Sequence, residues 1–232
     1  MMCPQLSRLR NIFITALVPL LLVCSGCNSE LGVAASAITG EVDVKPVYSG
    51  FKGQKVAILV WADEGITADH PRITAEVANG LQDKLQQAID AKVDGWKGTT
   101  FFDNSAVFRY QDAHPESQSD PAEQVALQFP ITRMVYVEIQ SLSLHPGESM
   151  DLSRGDIVAD VKVIEVNDGK SKTAYENDNV SAVFPADAPP EGLTGLDENQ
   201  VYAKTLDDLT TELGKLFVPH PSEQKDNGDD YQ

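Results

Sequence analysis

The sequence predicts an α/β domain in which helices pack on a single mixed sheet of about four to five strands, in the order β-α-β-α-β-β-β-α. A short apolar run that is rich in β-branched residues and bounded by glycines lies at residues 55–61. Segments 73–89 and 202–216 repeat apolar residues at three- and four-residue steps, the period of an amphipathic helix. Between them, alternating apolar and polar residues lead into Asn167-Asp-Gly-Lys170, which is typical of a β-hairpin.

The first predicted strand, residues 55–61, is apolar on both faces, which is typical of a central strand covered by helices. A loop that ends at His70 leads from this strand to the first helix. Pro71 is predicted to open the helix, with Asp69 or His70 as its cap, and the helix is predicted to end near residues 94–95.

Two weaker elements are predicted in the middle of the chain. Residues 106–110, with the sequence Ala-Val-Phe-Arg-Tyr, favour a second strand. Asp120-Pro-Ala-Glu123 then predicts a helix start, because it combines a capping carboxylate, a proline at the first helical position and a glutamate in the first turn. This helix is predicted to be short because Pro130 closes it.

Three further strands are predicted around the hairpin. Residues 135–139 alternate as in a strand with one buried face, and the alternation shifts near residues 140–141, which predicts a β-bulge. Residues 157–163 form the next strand. Its partner is predicted after the tight turn, at residues 172–176 with a continuation at 180–184.

Four segments follow from these patterns. Residues 1–26 are a predicted signal peptide, residues 27–50 a flexible tether, residues 51–218 the globular domain and residues 219–232 a disordered acidic tail. Within the domain, a loop rich in proline and glycine precedes the last helix.

The N-terminal segment is typical of an export signal, because Arg8 and Arg10 precede an apolar run at residues 12–23. That run is shorter than the roughly 20 residues that a membrane-spanning helix needs. Ser25-Gly26-Cys27 follows it, and small residues directly before a cysteine resemble the lipobox of bacterial lipoproteins. The resemblance implies cleavage between Gly26 and Cys27 and acylation of Cys27, with palmitate among the acyl groups. An ordinary secretory signal that ends in a cysteine is the alternative.

Charge and cysteine content exclude several functions. The chain has 18 basic and 35 acidic side chains, and loss of Arg8 and Arg10 with the signal leaves 16 basic against 35 acidic, a net charge of −19. This negative charge would repel nucleic acid and anionic lipid headgroups. We therefore predict that acyl chains on Cys27 attach the protein to the membrane. All three cysteines lie at or before residue 27, which excludes a thiol nucleophile, a disulfide and a cysteine-based zinc site in the exported domain.

The candidate ligand site lies after the first predicted strand, where open α/β sheets often bind ligands. Asp63 and Glu64 follow that strand directly and His70 is close in sequence, so these three residues could bind a small ligand or support hydrolysis. The simpler interpretation is a solvated loop on an acidic protein.

The sequence does not favour a metal site, a cofactor or a catalytic motif. Each of the four histidines precedes a proline, which is typical of helix starts and turns; a metal site could still combine His70 and His114 with the carboxylates of Asp69, Asp112 or Glu116. Gly-x-Ser-x-Gly and glycine-rich phosphate loops do not occur in the sequence. We therefore predict no metal, no cofactor and no catalytic residue.

Four core segments carry a resemblance to a group of exported domains: residues 55–60, 73–89, 133–139 and 160–170. They resemble the small α/β domain shared by the penicillin-binding-protein activator lipoproteins, the curli-secretion lipoprotein and the N-terminal domain of the Tol system's propeller protein. A closer likeness, through Val107-Phe-Arg-Tyr110 and His114-Pro115, is to lipoproteins of similar size that have no characterised function. The segment that would have to insert as a membrane hairpin, residues 143–156, is short and polar, which disfavours a curli-type pore.

These observations predict a membrane-anchored, non-enzymatic lipoprotein of the cell envelope whose domain docks a protein partner, in assembly or as a cell-wall accessory. The alternative function is a small-ligand-binding or hydrolytic domain that uses Asp63, Glu64 and His70. Asn28 and Ser29 lack the aspartate that retains many enterobacterial lipoproteins in the inner membrane, so we expect the outer membrane, facing the periplasm.

Overall fold

A five-stranded mixed sheet lies at the centre of the computed structural model, which describes residues 43–146 and 151–222. The strands in chain order are β1 (Asp43–Val44), β2 (Lys55–Ala62), β3 (Thr100–Phe101), β4 (Arg133–Ser143), β5 (Leu152–Ser153), β6 (Gly155–Asn167), β7 (Lys170–Phe184), β8 (Leu193–Thr194) and β9 (His220–Pro221). The helices are α1 (Glu64–Asp69), α2 (Ile73–Asp90), α3 (Asn104–Ala113), α4 (Ala122–Ala126) and α5 (Glu198–Lys215), with 3-10 turns at Asp94–Trp96 and Pro115–Ser119. The predicted signal peptide and Cys27 lie outside the described residues.

The sheet has the order β3-β2-β4-β6-β7, and its strands differ in how they pair. β2 runs parallel to both β3 and β4, whereas β4, β6 and β7 pair antiparallel. Parallel neighbours need crossover connections, which the helices after β2 and β3 provide. This confirms the predicted α/β class and the mixed sheet.

β2 is buried on both faces, as the sequence predicts for its central strand. Val56, Ile58 and Val60 lie in one core with α2 and α5, and the alternate side chains Ala57, Leu59 and Trp61 lie in a second core with α3 and α4. The helices α2 and α5 present the predicted apolar stripes to the first core; their buried apolar side chains are Ile73, Val77, Ala78, Leu81, Leu85, Ala88, Val201, Leu206, Leu209 and Leu213.

The predicted hairpin joins β6 to β7. Asp168 and Gly169 have φ angles of 51° and 72°, the left-handed conformation that a tight two-residue turn requires. The predicted β-bulge is also confirmed, because the register of β4 against β6 shifts between Ile139 and Ser141. β7 is one continuous strand of 15 residues, and its register against β6 shifts twice, between Ala159 and Val161 and between Val163 and Ile164.

The strand predicted at residues 106–110 is wrong, because this segment lies inside α3. The Asp103 carboxylate accepts a hydrogen bond of 2.9 Å from the backbone N–H of Ser105 and so caps the helix. Val107 and Gln111, four residues apart, are the side chains that α3 buries. The strand of this region is the shorter β3, which precedes the cap.

The predicted loop after β2 is also corrected, because it contains α1. α2 does not begin with an Asp69 or His70 cap; its N-cap is Arg72, which makes no side-chain capping bond. Asp120 likewise does not cap α4, whose N-cap position is Pro121. β4 is buried on both faces rather than one, since Tyr136 is only 4% exposed.

The chain ends of the described domain pair with each other. β1 pairs antiparallel with β9, and the backbone N–H of Val47 donates to the carbonyl of Leu216 at 2.9 Å. Part of the predicted tether and the start of the predicted tail are therefore in contact with the domain. The remainder of both segments lies outside the described residues.

A polar cluster of Tyr48, Arg133, Glu165 and Lys172, which we call the Glu165 cluster, joins the chain before β2 to the sheet. Glu165 Oε1 lies 3.2 Å from the Tyr48 hydroxyl and 3.4 Å from Arg133 Nη2, and Oε2 lies 3.2 Å from Lys172 Nζ. Arg133 Nε also donates to the carbonyl of Gly50 at 3.1 Å. Burial raises the pKa of Glu165, but its bonds to Lys172 and Tyr48 and the Arg133 charge together hold it below the ordinary 4.5.

We expect Glu165→Gln to lower the free energy of unfolding at neutral pH by about 1–3 kcal/mol, because it removes the charge that three partners share. The folded-state pKa of Glu165 is lowered, so its contribution is present above the unfolded-state pKa and is lost as the pH falls through the folded-state pKa. Urea unfolding of both proteins between about pH 7 and pH 3 measures this. The stability of the unsubstituted protein should fall more steeply in acid.

The control is Glu191→Gln, since Glu191 is exposed. It should unfold like the unsubstituted protein at every pH. Parallel stability curves for Glu165→Gln and the unsubstituted protein would show that the cluster contributes nothing that depends on ionisation.

Candidate functional site

A cleft of about 700 Å³, here named the β2 cleft, opens at the carboxyl end of β2. The end of β2 contributes Trp61 and Ala62. One wall is formed by α1, α2 and the residues directly before α2. The other wall is formed by α3 and the 3-10 turn at Pro115–Ser119. The wall residues are Glu64, Thr67, Pro71, Arg72, Thr74, Ala75, Phe108, Gln111, Asp112, Pro115 and Gln118.

The topology explains the position of the β2 cleft. After β2 the chain enters α2 on one face of the sheet, and after β3 it enters α3 on the opposite face. Neighbouring parallel strands whose connections leave on opposite faces have a crevice at their carboxyl ends, which is where open α/β sheets bind ligands. β3 pairs only with Lys55 and Val56, so the rest of this edge of β2 is free of strand pairing.

Two glutamine side chains satisfy the carbonyls along that free edge. Gln111 Nε2 donates to the Val60 carbonyl at 2.8 Å, and Gln118 Nε2 donates to the Ala62 carbonyl at 3.1 Å. The amides replace the missing strand and fix the second wall of the cleft against β2. Sequence reasoning did not find these residues; a glutamine placed one helical turn after the apolar Val107 is the signal that could have revealed Gln111.

Trp61 lies in the cleft wall and carries an unsatisfied donor. Its side chain packs in the core with α3 and is 7% exposed, as expected for a core or rim tryptophan. Within the described residues its buried Nε1–H has no hydrogen-bond acceptor. Leaving such a group unpaired costs about 1–3 kcal/mol, and native proteins satisfy most buried donors.

The structure does not bring the three predicted ligand residues together. Glu64 lines the β2 cleft. Asp63 caps α1 instead, with Oδ1 2.8 Å from the backbone N of Gly65. His70 lies in a separate crevice of about 170 Å³, where its ring stacks on Tyr202 at a centroid distance of 4.7 Å.

The crevice around His70 is closed by contacts between distant parts of the chain. The Tyr202 hydroxyl donates to Glu76 Oε2 at 2.7 Å, and Glu76 Oε1 lies 3.1 Å from Arg72 Nη2. Burial and the bond to Glu76 raise the pKa of Tyr202, so its hydroxyl remains a neutral donor at physiological pH. These contacts hold the start of α2 against α5.

The possible metal residues are also separate. His114 Nδ1 lies 3.3 Å from Glu116 Oε1 and its ring contacts Tyr110, whereas His70 contacts Tyr202. Within residues 43–146 and 151–222, no three His, Cys, Asp or Glu side chains are grouped as a metal ion would require. In the same part of the chain, no helix is both long enough and apolar enough to cross a membrane.

Comparison with known proteins gives only distant likenesses. No protein-family model matches the sequence, and no curated protein matches it. Among solved structures, the lipoprotein GNA1162 from Neisseria meningitidis is 12% identical with a TM-score of 0.37, and the match covers 56% of this chain and 80% of that chain. The PelC dodecamer from Paraburkholderia phytofirmans is 10% identical with a TM-score of 0.36, covering 75% of this chain and 94% of that one.

A third similar structure is the hypothetical protein CT253 from Chlamydia trachomatis, which is 15% identical with a TM-score of 0.34. That match covers 68% of this chain and 98% of the other. At these TM-scores the likenesses carry no argument about function.

Proposed function

We propose that this chain is a lipid-anchored protein of the bacterial cell envelope whose α/β domain binds a small ligand in the β2 cleft. The observation that carries the binding function is the cleft itself, at about 700 Å³. Small-molecule sites in proteins usually measure about 300–1,000 Å³ and combine an apolar lining with a few polar groups. Trp61, Phe108 and Ala75 supply apolar surface here, and Arg72 and Glu64 supply charge.

The positions of Asp63, Glu64 and His70 favour ligand binding over hydrolysis. Asp63 is held in the cap of α1 and His70 is stacked on Tyr202, so neither lies with Glu64 in the cleft. An acid–base pair needs two titratable groups within reach of one substrate. The three residues predicted for hydrolysis are therefore not assembled in the β2 cleft, whose two carboxylates, Glu64 and Asp112, lie on opposite walls.

We expect Ala75→Tyr to abolish ligand binding, because the new ring would occupy the β2 cleft from the wall formed by α2. The measurement is a thermal-shift screen of the purified protein against sugars, nucleotides, amino acids and short peptides. At least one probe should raise the melting temperature of the unsubstituted protein, and Ala75→Tyr should remove that shift.

Ala91→Tyr is the matched control, since Ala91 is exposed at the far end of α2. It should retain the shift. A screen in which no probe raises the melting temperature, or in which both variants respond alike, would rule out the cleft as a small-ligand site.

The anchor is proposed from the resemblance of Ser25-Gly26-Cys27 to a lipobox. Two or three acyl chains on Cys27 would hold the protein on a membrane without any contribution from charge. Asn28 and Ser29 at the following positions favour the outer membrane, with the domain in the periplasm.

Cys27→Ser should release the protein from the membrane fraction and abolish incorporation of labelled palmitate. The control is Cys24→Ser, which leaves Gly26-Cys27 unchanged and should remain acylated and membrane-bound. Fractionation on a density gradient should place the unsubstituted protein with outer-membrane markers. Retention of Cys27→Ser in membranes would contradict the lipid anchor.

Docking of an envelope protein is a second candidate function, and an apolar groove of about 470 Å³ favours it. The groove lies between β1, β7 and α5, and its lining includes Val44 and Val47, which are 40% and 60% exposed. It lies beside Asp43, where the described domain begins. A partner in this groove would bind close to the chain that leads to Cys27.

A photo-crosslinking amino acid at Val47 should therefore give a discrete crosslinked product in intact cells. The same amino acid at Leu127, which is 42% exposed on another part of the surface, is the matched control. Val44→Asp should remove the Val47 product by placing a charge in the groove. The same products from both positions, or none from Val47, would contradict docking at this groove.

A further inference from the structure

We propose that the β2 cleft binds an alkylamine and holds its ammonium group on the wall that α3 and the turn after it form. We call this the α3 wall; its residues are Phe108, Gln111, Asp112, Pro115 and Gln118. The inference rests on the proposed function, since it requires the cleft to accept a ligand, and it names the class of that ligand.

The observation that points to a ligand is the amide oxygen of Gln111. The side chain lines the cleft but is only 8% exposed. Its Nε2 donates to the Val60 carbonyl at 2.8 Å, and because a carbonyl can only accept, the amide cannot be turned round. Its Oε1 accepts no hydrogen bond from the described residues, and it is not one of the four polar side-chain atoms that are fully buried there without a partner. This oxygen is therefore an accessible acceptor in the lining of the cleft.

Gln118 repeats the arrangement at the end of β2. Its Nε2 donates to the Ala62 carbonyl at 3.1 Å, and its Oε1 has no donor among the described residues. The carbonyls of Val60 and Ala62 are two residues apart on one strand, which is about 6.6 Å. Both amides thus turn their nitrogen to the strand and keep an acceptor oxygen for a group outside the fold. A ligand that meets these oxygens must supply N–H or O–H donors.

The end of α3 adds negative charge to the same wall. Asp112 lies in the last turn of the helix and makes no ion pair with any described residue. That turn contains no basic residue, so the negative end of the helix dipole is not compensated within α3. Phe108 lies one turn earlier and lines the cleft beside Asp112, and an aromatic ring attracts a cation placed over its face. The wall therefore favours a donor that is also positively charged.

The opposite wall agrees with a cation rather than an anion. Arg72 is the one basic residue in the described lining of the cleft, and it is paired with Glu76 at 3.1 Å. Glu64 lies on that wall and makes no ion pair with the described residues. The lining thus combines two unpaired carboxylates with an arginine whose charge is already balanced. The chain as a whole has 35 acidic and 18 basic side chains, which raises the local concentration of cations.

The lining also indicates which kind of cation fits. An ammonium group carries three N–H donors for the oxygens of Gln111, Gln118 and Asp112, whereas a quaternary ammonium carries none. No three His, Cys, Asp or Glu side chains are grouped for a metal ion in the described part of the chain. Ala62 and Ala75 offer apolar surface in the same cleft, which suits a hydrocarbon chain attached to the ammonium group.

The test follows the side-chain amide signals of glutamine by ¹⁵N–¹H NMR in the full chain carrying Cys27→Ser. The probe is hexylamine, which is protonated at neutral pH as lysine is, with a pKa of about 10.4. We expect it to shift the Gln111 and Gln118 signals saturably. Gln54 lies at the other end of β2, where its Nε2 donates to the Lys52 carbonyl, so its signal is the internal control and should not move.

Three further probes keep the same six-carbon chain and change its head group. 1-Hexanol lacks the charge and hexyltrimethylammonium lacks the N–H donors, so each should bind at least about tenfold more weakly than hexylamine. Hexanoate should cause no saturable shift, because the lining repels it. N-acetyl-lysine methylamide tests the other source of an alkylammonium group. Binding tighter than that of hexylamine assigns the group to a lysine side chain in a peptide, and weaker binding assigns it to a free amine.

Asp112→Asn removes one charge from the α3 wall and keeps the shape of the side chain, so calorimetry should show about tenfold weaker binding of hexylamine. The matched control is Asp83→Asn, which removes the same charge from an exposed position on α2 outside the cleft and should keep full affinity. Full affinity in Asp112→Asn, equal losses in the two variants, or binding of 1-hexanol or hexyltrimethylammonium as tight as that of hexylamine would overturn the proposal.

Failure of this inference is distinct from failure of the proposed function. If a sugar or nucleotide binds and is blocked by Ala75→Tyr while hexylamine shifts no glutamine signal, the cleft remains a ligand site and the amine assignment is overturned. If neither hexylamine nor any other probe binds, both are overturned.

Discussion

Burial of β2 on both faces is the constraint on which the rest of the structure depends. A parallel strand between two parallel neighbours requires crossovers, and apolar side chains on both faces require those crossovers to be helices on opposite sides. The first crossover helix, α2, therefore covers Ile58 and its neighbours together with the C-terminal helix α5, and the second crossover, α3 with α4, covers Leu59 and its neighbours. The β2 cleft is a product of the same constraint, because it opens where the two crossovers diverge.

The opposite end of the sheet, where β2 begins, is built from stacked aromatic rings and paired polar side chains. There Phe51 stacks on Trp96 at a centroid distance of 4.5 Å, and Trp96 Nε1 donates to the Phe217 carbonyl. The Glu165 cluster lies at this end too, and its charges have partners. Trp61, at the carboxyl end of β2, has the same indole donor without an acceptor. Trp61 is not alone in this, since Gln82, Asn104 and Arg154 also bury a polar side-chain atom without a partner among the described residues.

The sequence correctly predicts the elements in which the spacing of apolar residues follows which side chains are buried. These elements are β2, α2, α5 and the β6–β7 hairpin. α3 was predicted as a strand because β-forming residues crowd positions 106–110; the Asp103 cap and the bond from Gln111 to β2 decide the helix instead. The position of Glu64 directly after β2 was enough to predict that it lies near the carboxyl end of that strand. The contact of Arg72 with Glu76 in α2 and that of His70 with Tyr202 in α5 could not be predicted from the sequence. The contact of His70 depends on which elements distant in sequence pack together in the fold.

The irregular pairing of β7 has a consequence for contacts between copies of the domain. An edge strand of 15 residues would ordinarily be a template on which further chains could add. The two register shifts of β7 interrupt the regular spacing of its backbone donors and acceptors, and Lys170, Lys172 and Asp178 add exposed charge along the strand. The irregular pairing and the charge both disfavour addition of a further strand to the edge of the sheet.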